Sequence, residues 1–458
     1  MASSYIHRTN SGGSGTTATV SFWAKLNQVT ADGGLVQFYT DNSNFMGIYA
    51  NPTVKFRTYI STAYSSGDMV TYIKHRDPGA WYHYVCVFDT TNGVAADRMR
   101  LWINGVRVSA SEMNSPVNPS SGYSFTPLVS GSFQINRYNG NTTYSDHDYS
   151  HIHYCDGYAY DASYFGEFDS TSGIWKIKTS PSVSYGTNGV FLKMEDRTNL
   201  DLDSSPNAHT MTTVGTVTPT YDNPSNNFCT MNGIWYGLQS FTLENGNTRI
   251  TPSSNYGFPG SMAMNKGKWY FEAIPKSPSA GIGIVSGSAF SQGYLSDGTY
   301  AGGFGSFEGN KAYGYVSTAT TQYLLEATTT TESWGANLNH TTDVLQIALD
   351  LDNNFLYFGI NGTWQNSGVP TSGSTGTGGI ALAVQGAGYP ALGEEVWAPF
   401  AHSWDTTVPT EFNFGNGYFG TTAVSTSESD DAGEGSFEFD VPAGFYTICS
   451  KNIKAYGG

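Results

Sequence analysis

Hydrolysis of a glycosidic bond needs two carboxyl groups across a cleft, one of them held protonated as the general acid. A strand spelling Glu-x-Asp-x-x-Glu supplies such groups. Glu167-Phe168-Asp169 and Glu438-Phe439-Asp440 each begin that spacing, but Ser172 and Ala443 stand where the second glutamate belongs. These acids read as turn or strand carboxylates, and no catalytic residue is assigned. The sequence also carries no nucleophile elbow, phosphate-binding glycine loop or zinc-protease helix motif.

The densest titratable stretch is DHDYSHIHYCD, with His147, Asp148, His151, His153, Cys155 and Asp156. On a regular strand His151, His153 and Cys155 share one face and could hold a transition metal. The plainer reading, ordinary strand residues with half of them on the solvent face, is preferred. Calcium asks for hard oxygen ligands instead, and Asp203 with the side-chain carbonyl of Asn207 in a turn would supply them. For a sugar, the useful groups are rim aromatics that stack on the C–H face of the ring, with amides and carboxylates taking the hydroxyls. Tyr138, Asn141, Tyr144 and Asp146 form one such group; Trp404 and Asp405 form another. Trp23, Trp81, Trp102 and Trp269 sit inside strand patterns and read as packing residues.

The elements that must position these groups are strands. In His83 to Asp89 and Arg98 to Ile103 successive residues alternate faces, and Asn104-Gly105 closes the second run with a dipeptide that tolerates positive φ. The outline returns at Asp343 to Trp364, where Leu345, Ile347, Leu349 and Leu351 share a face, an Asp-Asn-Asn turn follows, and Asn361-Gly362 ends the hairpin. Two antiparallel β-sandwich (jelly-roll) domains in tandem are expected, an all-β fold. The boundaries fall at 1–222 and 223–420, because Thr218 to Asn227 is rich in Pro, Asn and Ser. Residues 421–458 are expected to be an acidic, mobile loop followed by strands at Ser436 to Phe439 and Tyr446 to Ser450 that pack on the second domain.

With 458 residues, 54 glycines and a formal net charge of −16, the chain suits two cores of many short strands and lacks the basic surface that nucleic acid requires. Anionic membranes are disfavoured for the same reason. The N-terminus, MASSYIHRTN, has no apolar run of the kind a secretory signal needs, and no stretch is long and apolar enough for membrane insertion. The widely spaced Cys86, Cys155, Cys229 and Cys449 read as buried thiols, not as a disulfide frame.

VSFWAK at Val20 to Lys25, AWYHYVCVFD at Ala80 to Asp89 and DRMRLWINGVRV at Asp97 to Val108 resemble the laminin-G-like, concanavalin A-type jelly roll. A segment that opens many such domains has its counterpart here at Asp203 to Gly215, as in a circular permutation. Jelly rolls resembling this one often hold calcium near that turn, partly through an acid on the strand where this chain has His151. The superfamily also includes glucanases. GKWYFEA at Gly267 to Ala273, GIGIV at Gly281 to Val285, DVLQIALDLDNNFLYFGING at Asp343 to Gly362 and EFNFG at Glu411 to Gly415 are similar to SPRY domains. The order of the two halves, with FGEFDSTSGIWK at Phe165 to Lys176 and PAGFYTICSKNI at Pro442 to Ile453, resembles a set of bacteriophage virion proteins. That resemblance implies a non-enzymatic structural protein on the particle exterior, assembled in the host cytoplasm as an appendage, tail fibre component or capsid decoration. Its implied partners are other virion proteins, further copies of itself and host-surface glycans. No cofactor is required, calcium being the one left open. A free bacterial lectin and a polysaccharide hydrolase of the glucanase type are the alternatives.

Overall fold

The computed structural model describes residues 4–27, 33–51, 53–60, 66–138, 143–233, 241–253, 256–288, 312–317, 322–326, 329–383, 391–403 and 405–457. Antiparallel sheets dominate both compact units. The first unit comprises Met1–Pro219 with Asn223–Ser225, and the second Thr220–Asp222 with Asn226–Gly458.

In the first unit a seven-stranded sheet runs in the order Thr212–Val214, Tyr5–Thr9, Ser132–Ile135, Gly33–Asp41, Asn44–Asn51, Thr53–Ile60, Asp68–Lys74. Facing it is a six-stranded sheet, Val190–Leu192, Asp148–Asp156, Thr17–Lys25, Trp81–Asp89, Met99–Ile103, Val106–Arg107. The core between them takes alternate residues, Val20, Phe22 and Ala24 against Val36, Phe38, Met46 and Ile48. That is the pattern a sandwich imposes, since only one face of each strand points inward. Yet Thr17–Lys25 is buried along almost its whole length. The outward face of the six-stranded sheet lies under chain outside it: Val85, Val87, Trp102, Cys155 and Phe191 pack beneath Phe165, Trp175 and Tyr185.

The second unit repeats this layering. One sheet runs Phe241–Glu244, Arg249–Pro252, Thr410–Asn413, Lys268–Ile274, Leu345–Asp350, Phe355–Ile360, Thr363–Trp364, and Ile380–Ala381 and Tyr446–Thr447 also pair within it. The other runs Tyr256–Pro259, Trp397–Ser403, Ala280–Ser286, Ala312–Ser317, Gln322–Glu326, Thr329–Glu332. Trp269, Phe271, Leu345, Ile347, Leu349 and Phe358 fill the space between the sheets. On the other face of the first of them, Tyr270, Ala348 and Tyr357 are covered by Phe437 and Phe445.

The C-terminal segment departs from the sequence expectation. The acidic stretch expected to be mobile is built around Asp430, which is buried and accepts hydrogen bonds from the backbone N–H groups of Ala432, Glu434 and Thr447 and from Asn452 Nδ2. In place of a strand, Ser436 to Phe439 contributes a single bridge, Glu428 to Phe437. The strand expected to reach Ser450 stops at Thr447, and a helix, Ser450–Tyr456, follows. All four cysteines are buried thiols. Among the described residues no helix is long and apolar enough to cross a membrane.

Candidate functional site

Glu167 and Asp169 lie on a small exposed hairpin, Gly166–Phe168 paired with Trp175–Ile177. Asp169 Oδ1 accepts from the N–H groups of Thr171 and Ser172 and from the Ser172 hydroxyl, the hydrogen-bonding of a turn. Those bonds, together with Lys176, hold its carboxyl below the usual range. Lys176 lies 3.5 Å from Glu167 and 3.3 Å from Asp169. A general acid requires the opposite shift. Glu438 accepts from Ser425 at an exposed position.

The histidine stretch forms Asp148–Asp156, but its pairing with Thr17–Lys25 slips between Ser150 and His153, and His151 has a φ of 49°. This bulge breaks the alternation that would align His151 with His153 and Cys155. His151 Nδ1 meets the Ser150 hydroxyl at 2.8 Å, and Nε2 lies 3.4 Å from Glu195. His153 is stacked 3.9 Å from Phe191 and bonded to the Tyr185 hydroxyl at 3.0 Å. The described residues contain no group of three or more His, Cys, Asp or Glu able to hold a metal.

A serine–histidine pair is present on the same buried face, and its proton arrangement can be assigned from its neighbours. The Trp175 indole, which can only donate, bonds to His83 Nδ1 at 3.0 Å. Burial lowers the His83 pKa to about 3, so the ring is neutral and its proton sits on Nε2. That proton points to the Ser21 hydroxyl at 2.9 Å, so Ser21 accepts it. A base able to activate the serine would need the reverse. The pair is a packing element, with Trp23 stacked 4.8 Å from His83.

Asp203 anchors its turn. Its two oxygens accept from the N–H groups of Phe191, Ser205 and His209 and from the Ser205 hydroxyl. Asn207 Nδ2 donates to the carbonyls of Gly186 and Gly189. The turn proposed for calcium is therefore held by protein donors, and the Asp203 carboxylate is already fully engaged.

The rim aromatics separate. Tyr138 is buried, its ring stacked 4.0 Å from Tyr49 and edge-on to Phe45, which corrects its assignment as a sugar-stacking residue. Tyr144 is half-buried opposite Arg137, whose guanidinium lies over both Tyr144 and Tyr5, at 5.6 Å and 4.1 Å. Asp146 is half-buried nearby. Sequence reasoning misses Tyr5 and Arg137, because they lie on different strands, Tyr5–Thr9 and Arg137–Tyr138. Asp405 Oδ1 accepts from Thr407 and Oδ2 from Ser277, again a turn. Asn141 and Trp404 lie outside the described residues. A further aromatic group, Tyr158, Tyr160 and Tyr164, follows the end of Asp148–Asp156 and remains partly exposed. Its signal in the sequence is three tyrosines within seven residues, directly after a strand.

A family model described as Laminin_G_3, concanavalin A-like lectin/glucanases superfamily, matches residues 2–144. Among solved structures, the PSpry domain of TRIM65 aligns at 12% identity over 40% of this chain and 91% of that one, with a TM-score of 0.27. A SAP-like pentraxin from Limulus polyphemus aligns at 16% identity over 33% of this chain and 70% of that one, TM-score 0.26. The SPRY domain of human HERC1 gives 14%, 38% and 92%, with 0.23. No curated protein matches the sequence.

Proposed function

We propose that the chain is a non-enzymatic, glycan-binding component of a phage particle's exterior, working as repeated copies beside other virion proteins. Similarity of residues 2–144 to a superfamily of lectins and glucanases supports the choice between those two activities as the relevant one. The observation that favours binding over hydrolysis is the state of Asp169 and Glu167. Asp169 is bound into a turn and held ionised, both acids share Lys176, and neither is placed as a proton donor. The virion setting rests on the resemblance of Phe165 to Lys176 and Pro442 to Ile453 to phage virion proteins.

Two measurements test the reading. The purified chain should be retained by polysaccharide without releasing reducing sugar from it; steady release would overturn the non-enzymatic assignment. Immunogold electron microscopy of particles from a lysate should place the protein on heads or tails. Unlabelled particles, with all of the protein in the soluble fraction, would favour a free lectin.

A further inference from the structure

The first unit carries a second group of aromatic side chains that no sequence motif marks as a site. Just beyond Asp148–Asp156 the chain turns outward through Tyr158 and Tyr160 and enters a short 3-10 turn, Ala162–Tyr164. The backbone there is fixed by one buried residue: the Thr19 hydroxyl donates to the Tyr158 carbonyl at 2.8 Å and accepts the Tyr160 N–H at 2.9 Å. Asp161 caps the turn by accepting from Ser163. Tyr160 is held at its far end as well, since its hydroxyl accepts the N–H of Ser184 at 3.0 Å.

On this frame the three rings form a short stack. Tyr158 and Tyr160 are 5.6 Å apart and within 9° of parallel, and Tyr164 lies 4.6 Å from Tyr160 on a 48° tilt. Tyr160, in the middle, is half-buried, whereas Tyr158 and Tyr164 are 40% and 44% exposed. The outer rings are thus presented to solvent on a support that costs little further ordering, the condition under which an aromatic face contributes most to binding. Within the described residues the hydroxyls of Tyr158 and Tyr164 make no hydrogen bond, and neither does Asp161 Oδ2.

We infer that Tyr158, Tyr160 and Tyr164 form a binding site for a neutral pyranose. The C–H face of the sugar stacks on an outer ring, and its hydroxyls reach the two phenols and the free carboxylate oxygen of Asp161. Tyr160 is a positioning residue that spaces the outer rings. The site carries both signs, the Asp161 carboxylate and the Lys178 ammonium that donates to the Ser163 carbonyl at 2.7 Å, so it offers an anionic sugar no net attraction. This inference rests on the glycan-binding reading above and assigns it a place.

The test is affinity electrophoresis of the full chain through native gels containing galactomannan, mixed-linkage β-glucan, dextran or starch. Retardation in at least one gel is expected, and Tyr158→Ala and Tyr164→Ala should each weaken it roughly tenfold, the loss of one stacked ring. Tyr160→Phe should have a smaller effect. Tyr5→Ala and Tyr144→Ala should leave it unchanged. Retardation that survives Tyr158→Ala and Tyr164→Ala but is lost with Tyr144→Ala would uphold glycan binding and overturn this site. If the chain runs unretarded in every gel, both the site and the glycan-binding reading fail. A mobility equal to wild type in a polysaccharide-free gel, with an unchanged unfolding midpoint, separates lost binding from lost fold in each variant.

Discussion

Asn104 closes its hairpin with its side chain: Oδ1 accepts the His83 N–H at 2.8 Å, while its own N–H donates to the His83 carbonyl at 2.9 Å. Asn361 stands in the same relation to Val344 in the second unit, at 2.9 Å and 3.0 Å. Both asparagines have positive φ, 47° and 48°, and each precedes a glycine at about the same backbone angle. The amide oxygen takes the place of a main-chain carbonyl and adds one rung to the ladder, which explains why an Asn-Gly pair ends both hairpins.

Replacing either asparagine with alanine should therefore remove a hydrogen bond and leave a left-handed backbone without its best residue. We expect a loss of about 1–3 kcal/mol from the unit concerned. Glycine should be tolerated better, since it meets only the first penalty. Denaturant unfolding of the four variants checks this, and alanine variants as stable as wild type would show that the side-chain bond contributes nothing.

Glu272 fastens the C-terminal segment to the outer sheet face of the second unit. Its carboxylate is wholly buried and accepts the N–H groups of Glu438 and Phe439, the Tyr270 hydroxyl and Asn413 Nδ2. Glu272→Ala takes the acceptor from two half-buried backbone N–H groups and from the buried Tyr270 hydroxyl and Asn413 amide, and a loss of about 2–4 kcal/mol is expected. Hydrogen exchange should rise first at residues 436–440. Protection unchanged in that stretch would mean that Phe437 and Phe445 hold the segment without the carboxylate.

Acidification should act on the two units in opposite directions. Burial lowers the pKa of His75 to about 4 and of His83 to about 3, and lowers that of His153 well below 6.5. The unfolded chain then binds more protons than the folded one below pH 6.5, so the first unit loses stability as pH falls from 6.5. Glu272 is raised to about 7 by burial, against hydrogen bonds that favour its ion. Here the folded state binds the extra proton, so this contribution is fully present below pH 4.5 and is lost as pH rises through 7. Cys86 and Cys155 report on one unit, Cys229 and Cys449 on the other, and pulsed thiol labelling with mass spectrometry reads them separately. Parallel pH profiles would refute the assignment, and Glu272→Ala should flatten the profile of the second unit alone.

Gly13 sits at a φ of 83° against Asp156 and Asn188, where an added Cβ would collide with both side chains. Asp156 accepts from Ser14 and from the N–H and Nδ2 of Asn188, tying the glycine-rich turn to the end of a central strand. Gly13→Ala should cost about 2–4 kcal/mol, and Gly12→Ala, which meets no atom, less. Equal effects at the two positions would remove the collision as the cause.

What the sequence made legible follows from which residues face a core. Val20, Phe22 and Ala24, or Leu345, Ile347 and Leu349, alternate because one side of each strand is inside, and the strands are where that alternation places them. At the end of their sheet, Gln322–Glu326 sets its two leucines side by side and Thr329–Glu332 is polar throughout, so neither shows a period of two. The turn at Asp430 is polar, but backbone donors satisfy it, so polarity was a poor guide to mobility. For the candidate sites the difficulty was geometric. A one-residue bulge interrupts the strand at His151, and long-range register brought Tyr5 to Arg137. Neither follows from local spacing.

The clamp at Glu272 grips main chain at 438 and 439, and every residue except proline offers the same N–H. Those two positions are therefore open to mutational drift without loss of the anchor, whereas Glu272 itself is not. Natural versions of this chain should vary more at 438 and 439 than at Glu272 or at Phe437, which is buried against the sheet.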